Sequence, residues 1–298
     1  INAMIYIRGH AYDCDLWRQQ GNEGWSYEDV LPYFKKAENF HGDGDAEFHG
    51  FSGPLHVKKS DREDDLLLDK FIEAGDQAGF PLTRDFNGKE QEGFSRYEHT
   101  INDTPRGPRR WSSAQAYLHP ALNRKNLFNE TNVTVDKLIF EGKKVKGIEY
   151  VNEKGVRTSC FVNREVILSA GALGSPQILM RSGIGDSNDI TKHGIEMVHE
   201  LKGVGKNLQD HYGVTSAFYA TQPVTLHRSA SWLSTQIAGI KYLLFGTGDA
   251  AYPPCSGGAF IKSSPEKDLP DTQLHYVSVQ SQDQHFREGV TLDHGFGC

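Results

Sequence analysis

Hydrophobic and polar positions change period several times along these 298 residues, and each change predicts a different element. In the stretch SYEDVLPYFKKAENF, Val30, Leu31, Phe34 and Ala37 recur at the spacing of one helical face. Ser26 is a natural N-cap there, Asp29 stands where a capping box wants an acid, and Pro32 falls in the first turns, where its missing donor is tolerated. DDLLLDKFIEAGDQAGFP reads as a second helix, stopped by Gly79 ahead of Pro81. SSAQAYLHPAL reads as a third, short one. From residue 132 the period falls to two: NVTVDKLIFEGKKVKGIEYVNEKGVRTSCF alternates β-rich runs with the turns FEGKK and NEKG, which predicts three strands joined by hairpins. Further on, STQIAGIKYLLFG predicts a helix, and GGAFIKS and DTQLHYVSVQ predict strands.

The run EVILSAGALGSPQILMRSGIG differs in kind. Val166, Ile167 and Leu168 are continuously apolar, as in a strand buried on both faces. Ala170, Gly171 and Ala172 follow with almost no side chain, and Ser175 and Pro176 then read as the N-cap and first residue of a helix. Small residues at a strand-to-helix junction let a nucleotide approach the backbone, and they equally let a helix pack tightly on a sheet. Both readings stand at this point. GIGDSN and GVGKNL are each one glycine short of GxGxxG, and the sequence holds no GxSxG elbow, Walker loop or HExxH.

Charge narrows the partners. A net charge of −7 disfavours nucleic acid or an acidic membrane surface, and the one dense basic cluster, residues 106–110, reads as a solvated loop. No apolar run approaches the roughly 20 residues that span a bilayer, so there is no strong membrane signal. The four cysteines (Cys14, Cys160, Cys255, Cys298) form no CxxC pair and read as buried free thiols from a reducing compartment. HGDGDAEFHGFSGP sets His41, Asp43, Asp45 and His49 close together, but without the glutamate that closes a calcium loop and without helical pairing for zinc, so it reads as a mobile surface loop and no metal site is assigned.

Taken together, INAMIYIRGHAYDCDLWRQQGNEGWSYEDVLPYFKKAE, RRWSSAQAYLHPAL, EVILSAGA, GALGSPQILMRSGIG and GVGKNLQDH resemble, in order, the glucose-methanol-choline (GMC) oxidoreductases, flavoenzymes that oxidise alcohols. The resemblance is dense up to about His211 and thinner beyond it. FHGFSGPLHV and PLTRDFNGKEQEGF are similar to its choline and aliphatic-alcohol dehydrogenase branch.

The resemblance implies an α/β (α+β) chain: residues 1–205 as a partial FAD-binding, Rossmann-like domain, and residues 206–298 as the beginning of an antiparallel-sheet substrate domain. It implies FAD as cofactor, held by Asn2, Ala3, Met4 and Ile5 around the isoalloxazine and its linker, by Val135 at the adenine, and by Ala170 and Gly171 at the adenosine end. An alcohol would give a hydride to the flavin, and electrons would pass to a quinone-type acceptor or to O₂. No histidine of this sequence matches the family's catalytic one, so no catalytic residue is assigned, and the sequence is expected to be an internal piece lacking the upstream GxGxxG and the downstream catalytic segment. The alternatives are a lyase on the same fold with structural FAD, and a truncated chain with no activity. A cytoplasmic or membrane-peripheral location is expected. Choline-acting relatives place a glutamate where PPCSGGAF has Ser256, and Tyr252 alone is a thin substitute for holding a quaternary cation. Choline is therefore expected to be a poor substrate.

Overall fold

The computed structural model describes residues 2–59, 62, 65–229, 231–279 and 295–298. In chain order the first elements are α1 (Ala11–Gln19), α2 (Tyr27–Ala37), β1 (Glu38–His41), β2 (Leu55–Lys59), α3 (Leu66–Gln77), β3 (Gly93–Arg96), β4 (Glu98–His99), β5 (Ile101–Thr104) and β6 (Gly107–Arg110). β7 (Val133–Glu141), β8 (Lys144–Asn152), β9 (Arg157–Phe161), α4 (Gly171–Arg181), β10 (Ile184–Gly185), α5 (Ser187–Ile190) and β11 (His199–Glu200) follow. The last are β12 (Ala217–Tyr219), α6 (Trp232–Phe245), β13 (Cys255–Ile261), β14 (Thr272–Val277) and β15 (Gly295–Gly297). The fold is thus mixed α and β, with mostly antiparallel sheets.

The chain divides into two compact units. One comprises Ile1–Asn123 with Val214–Cys298, the other Arg124–Gly213. The first unit holds a five-stranded antiparallel sheet of order β12-β15-β14-β13-β3 and a three-stranded sheet in which β2 runs parallel to β1 and antiparallel to β4. Phe86, Tyr97 and Cys255 are buried at its core, with Ile5, Ile7, Phe260 and Val277 packed against them. The second unit is built on the antiparallel meander β7-β8-β9.

Local chemistry explains the helices that the pattern predicts. Ser26 and Asp29 close a reciprocal capping box at the start of α2. α3 stops just before Gly79, whose φ of +86° only glycine adopts freely. α6 runs from a Ser231 cap to Gly246 in the left-handed conformation. Residues 114–121 form a π turn followed by a 3-10 turn rather than a regular short helix. α1 is absent from the pattern because its cap is His10, whose ring accepts from Tyr12 N, a role histidine rarely fills.

Three expectations are corrected. Val166, Ile167 and Leu168 are not a strand: no described strand pairs with them, and Ile167 is 78% exposed. A continuous apolar run states that a segment wants burial on both faces, but it does not supply the neighbours. The following helix starts at Gly171, not after Ser175: the Ser175 hydroxyl folds back to accept from Ala170 N at 3.0 Å, inside the first turns of α4. The cysteines are free but not uniformly buried. Cys14 and Cys255 are buried, whereas Cys160 lies exposed on β9, whose residues are all exposed.

Candidate functional site

Residues 2–4 make a single 3-10 turn with Ala3 at φ 50°, ψ 18° and Met4 at φ 67°. Left-handed geometry is uncommon for residues with a Cβ and costs on the order of 1–3 kcal/mol at each, so it persists only where the surroundings over-determine it. They do so here. Thr100 donates to Met4 O through both N (2.8 Å) and Oγ1 (3.3 Å), Ile5 bridges His99, and Tyr6 N donates to Glu98 O at 2.8 Å. Asn87 then clamps two further positions, donating from Nδ2 to Tyr6 O (2.9 Å) and accepting Arg8 N on Oδ1 (2.7 Å). Ala3 is left exposed, and Met4 and Ile5 are half-buried.

Beneath this segment lies a buried ring of alternating charge. Arg8 donates to Glu38 Oε2 at 2.7 Å and to Phe48 O at 2.6 Å. Glu38 Oε2 also accepts from His49 Nδ1 (3.1 Å) and Gly50 N (2.9 Å). Gly50 can be nothing larger, because a Cβ there would collide with the Lys35 carbonyl. His49 Nε2 meets Asp85 Oδ2 at 2.7 Å, and Asp85 Oδ1 accepts Asn87 N at 2.8 Å, which closes the ring at Arg8 N. Burial alone would lower the His49 pKa, but hydrogen bonds to Asp85 and Glu38 raise it to about 9, so the imidazolium is the resting form and both ring nitrogens donate. The expectation of a surface loop is corrected at the ends of this stretch, while residues 42–47 form a largely exposed loop. Asp43 and Asp45 are at the surface or near it, yet His41 ends β1 and His49 is 1% exposed. Among the described residues no group of three or more His, Cys, Asp or Glu could hold a metal ion.

Glu98 and His99 sit against the same segment, both fully buried. Neither Glu98 carboxylate oxygen has a hydrogen-bond partner, with Lys59 Nζ at 3.7 Å, and burial lifts its pKa to about 7. Burial pushes His99 down to about 4, so its neutral ring donates from Nε2 to Cys255 O at 3.0 Å.

In the second unit, Val135 lies on β7 at a register shift between Val135 and Lys137. The strand is an edge, and its outward groups meet α4: Asp136 O accepts from Arg181 Nε at 3.1 Å, and Leu138 N donates to Ser182 Oγ at 2.8 Å. Ala170 caps α4 and Gly171 opens it at φ +83°, a value that disfavours any other residue. Ala170, Gly171 and Ala172 are exposed, at the helix end where first-turn N–H groups have no intrahelical acceptor. A cavity of about 1290 Å³ in this unit is lined by Asp136, Ala172, Leu173, Met180, Ile190 and Leu208, among others. The predicted site residues therefore fall into two sets. Residues 2–5 belong to the first unit, and Val135, Ala170 and Gly171 to the second. Missing from the predicted set are Arg8, Glu38, His49, Asp85 and Asn87, which are drawn together from 79 positions of sequence and left no periodic signal.

Comparison with known proteins decides the family. The sequence profile of the GMC oxidoreductases matches residues 1–213. This chain belongs to the GMC oxidoreductase family. Mitochondrial choline dehydrogenase of Mus musculus is 44% identical over 295 residues, covering 99% of this chain and 47% of the relative. The oxygen-dependent choline dehydrogenase of Brucella ovis is 43% identical over 297 residues, covering 99% and 52%. The chain thus spans about half the length of the curated relatives it matches. Among solved structures, formate oxidase superposes with a TM-score of 0.84 at 22% identity (99% of this chain, 56% of the other), and pyridoxine 4-oxidase from Mesorbium loti with 0.79 at 27% (99% and 53%).

FAD is the cofactor of the GMC fold, and the residues present fit such a group: an over-determined left-handed turn at Ala3 and Met4, and an unobstructed glycine at the head of α4. One residue reads differently inside the family frame than it did in sequence. Ser256 is 0% exposed, and its hydroxyl donates to Asp65 Oδ2 at 2.7 Å. Asp65 in turn accepts from Tyr276 OH (3.2 Å) and caps α3 at Leu68 N (3.3 Å). At the position where the resemblance places a glutamate in choline-acting relatives, this chain has a buried hydroxyl engaged in holding a helix cap.

Proposed function

We propose that the protein carrying this chain is an FAD-dependent oxidoreductase acting on the CH–OH group of an alcohol, with residues 1–205 contributing to the FAD-binding domain and residues 206–298 to the substrate domain. The observation that carries this reading is the family match over residues 1–213 together with 43–44% identity to choline dehydrogenases along nearly the whole chain. In this reading Asn2, Ala3, Met4 and Ile5 line the flavin, Val135 meets the adenine, and Ala170 and Gly171 lie by the adenosine. Bound FAD supplies a hydride acceptor. What these residues contribute is backbone placed at fixed geometry, with little side chain at Ala3, Ala170 and Gly171 to keep the cofactor away.

Neither buried histidine of the site serves as the base that takes the hydroxyl proton. Both nitrogens of His49 are committed to carboxylates, while His99 donates from Nε2 to a carbonyl and its unpartnered Nδ1 is sealed from solvent, where burial lowers its basicity. The proton acceptor is proposed to be a histidine outside this sequence, and the electron acceptor a quinone or O₂. A second reading, in which the alcohol is choline itself, is favoured by the names of the two relatives above.

The test uses the full natural protein. Anaerobic addition of an alcohol should bleach the oxidised-flavin absorption band, and readmitted acceptor should restore it. A yellow protein that no alcohol bleaches would support structural FAD and a lyase. A colourless protein that takes up no FAD would support an inactive chain. Comparing kcat/KM for choline with that for a neutral primary alcohol of similar size separates the two substrate readings.

A further inference from the structure

We infer that His49 is a positioning residue for the flavin-contacting segment: bridging Glu38 and Asp85, it locks Arg8 and Asn87, and through them the backbone at residues 2–5. The inference rests on the proposed role of those residues at the flavin. It goes beyond that role by assigning control of their geometry to a side chain that touches neither flavin nor substrate.

The argument is one of connectivity. Starting at Arg8, the ring passes through Glu38, His49, Asp85 and Asn87 and returns to the Arg8 backbone N–H. Asn87 also holds Tyr6 O, only two residues beyond the left-handed Met4. Two carboxylates and two cations alternate, so the ring is neutral only while His49 is charged. Removing one charge from this largely buried, charge-balanced set leaves its neighbours uncompensated and frees them to repack. Arg8 and Asn87 are the two that would move, and both are fastened to the segment that carries Ala3 and Met4.

The charged and titratable groups facing His49 come from five parts of the chain. Glu38 lies on β1, Asp85 on the loop before β3, and Arg8 on the N-terminal segment, while Lys59 of β2 and Glu98 of β4 act at longer range through Asp85 and on His49 itself. With the His49 pKa at about 9, the imidazolium is lost only in alkaline solution, and the lock should open there.

The experiment compares the full-length holoenzyme with Asp85→Asn and His49→Gln, measuring FAD dissociation constant, visible circular dichroism of the flavin and kcat against pH. In the natural protein FAD affinity should fall at least tenfold as pH rises through about 9, with one proton released. Both variants should bind FAD at least tenfold more weakly at pH 7, lose that pH step, and recover most of kcat at saturating FAD. Asp85 is partly exposed, so Asp85→Asn keeps the test alive should His49→Gln fail to fold. A ring with a structural role only would lower the melting temperature while leaving FAD affinity and its pH profile as they were, which would overturn the inference alone. A natural protein that takes up no FAD would overturn the flavin reading and the inference with it.

Discussion

Two backbone turns with positive φ carry the proposed cofactor contacts, and they are held by opposite means. The turn at Ala3 and Met4 rests on buried groups: every clamp on it comes from a distant part of the chain, and beneath it Glu38 and His49 are 0–1% exposed. The turn at Ala170 and Gly171 lies at the surface. Its helix α4 is tied to β7 by the partly exposed pairing of Arg181 with Asp136, which also binds Arg157 at 2.5 Å, and by one buried hydroxyl, Ser182. Apolar side chains around it stay in solvent, with Leu173 72% and Leu208 64% exposed. The difference teaches where strain can be stored. A non-glycine residue in left-handed geometry needs enforcement by its surroundings, whereas a glycine adopts the same φ without help. The first turn contains Ala and Met and sits on a rigid buried network; the second contains Gly and needs none.

The comparison predicts a ranking, and the largest effect belongs to the buried ring. Glu38→Gln should destabilise the first unit by about 3–5 kcal/mol, the usual result of removing one partner from a buried ion pair. Hydrogen exchange at the Tyr6 and Arg8 amides reports it, and unchanged protection there would break the contrast between the two turns.

Next in size is a pH effect. His49 has a raised pKa, so the stability it contributes is complete below the unfolded-state value of about 6.5 and is lost as pH rises through about 9. Glu98, also raised, adds to that loss up to about pH 7. His99 is lowered and works the other way, costing stability as pH falls from about 6.5 to about 4. Protection of residues 5–8 should therefore decline between pH 6.5 and 9, a decline that Asp85→Asn weakens.

In the second unit, Ser182→Ala leaves the buried Leu138 N–H without its acceptor and takes away the donor to Ile178 O, a loss of about 1–3 kcal/mol. Exchange at the Leu138 amide is the measurement. A larger effect here than for Glu38→Gln would invert the ranking. The smallest change is expected of Asp136→Asn. Partly exposed ion pairs contribute little, and about 1 M salt should erase the difference between this variant and the natural protein in a thermal melt.

Much of this was legible along the chain. The capping box at Ser26 and Asp29, the stop at Gly79, the three-stranded meander and α6 are local matters of period, caps and turns, and they stand in the structure where the residues predict them. β1 to β4 were not legible, because each is short and takes a partner from outside its own neighbourhood: β1 pairs with β2 across a loop of polar residues, and β3 pairs with β13, whereas the β5–β6 hairpin is local but only four residues a side. Val166, Ile167 and Leu168 show the same limit from the other side, a strong local pattern with no described partner.

What the sequence determined by itself, then, is the family and the local elements, since both are written in contiguous residues: the ordered motifs from Asn2 to His211, the caps, the turns and the helical faces. Only the tertiary structure decided what His49, Asp85 and Ser256 do. His49 stands in a Gly- and Asp-rich stretch that reads as a loop, and its charge is set by Glu38 and Asp85, which sequence keeps apart and folding brings within 3.1 Å. Ser256 shares the pattern of a pocket residue until β13 turns its hydroxyl onto Asp65. A side chain's burial, partners and protonation depend on neighbours contributed by other elements, and no spacing along a single chain encodes them.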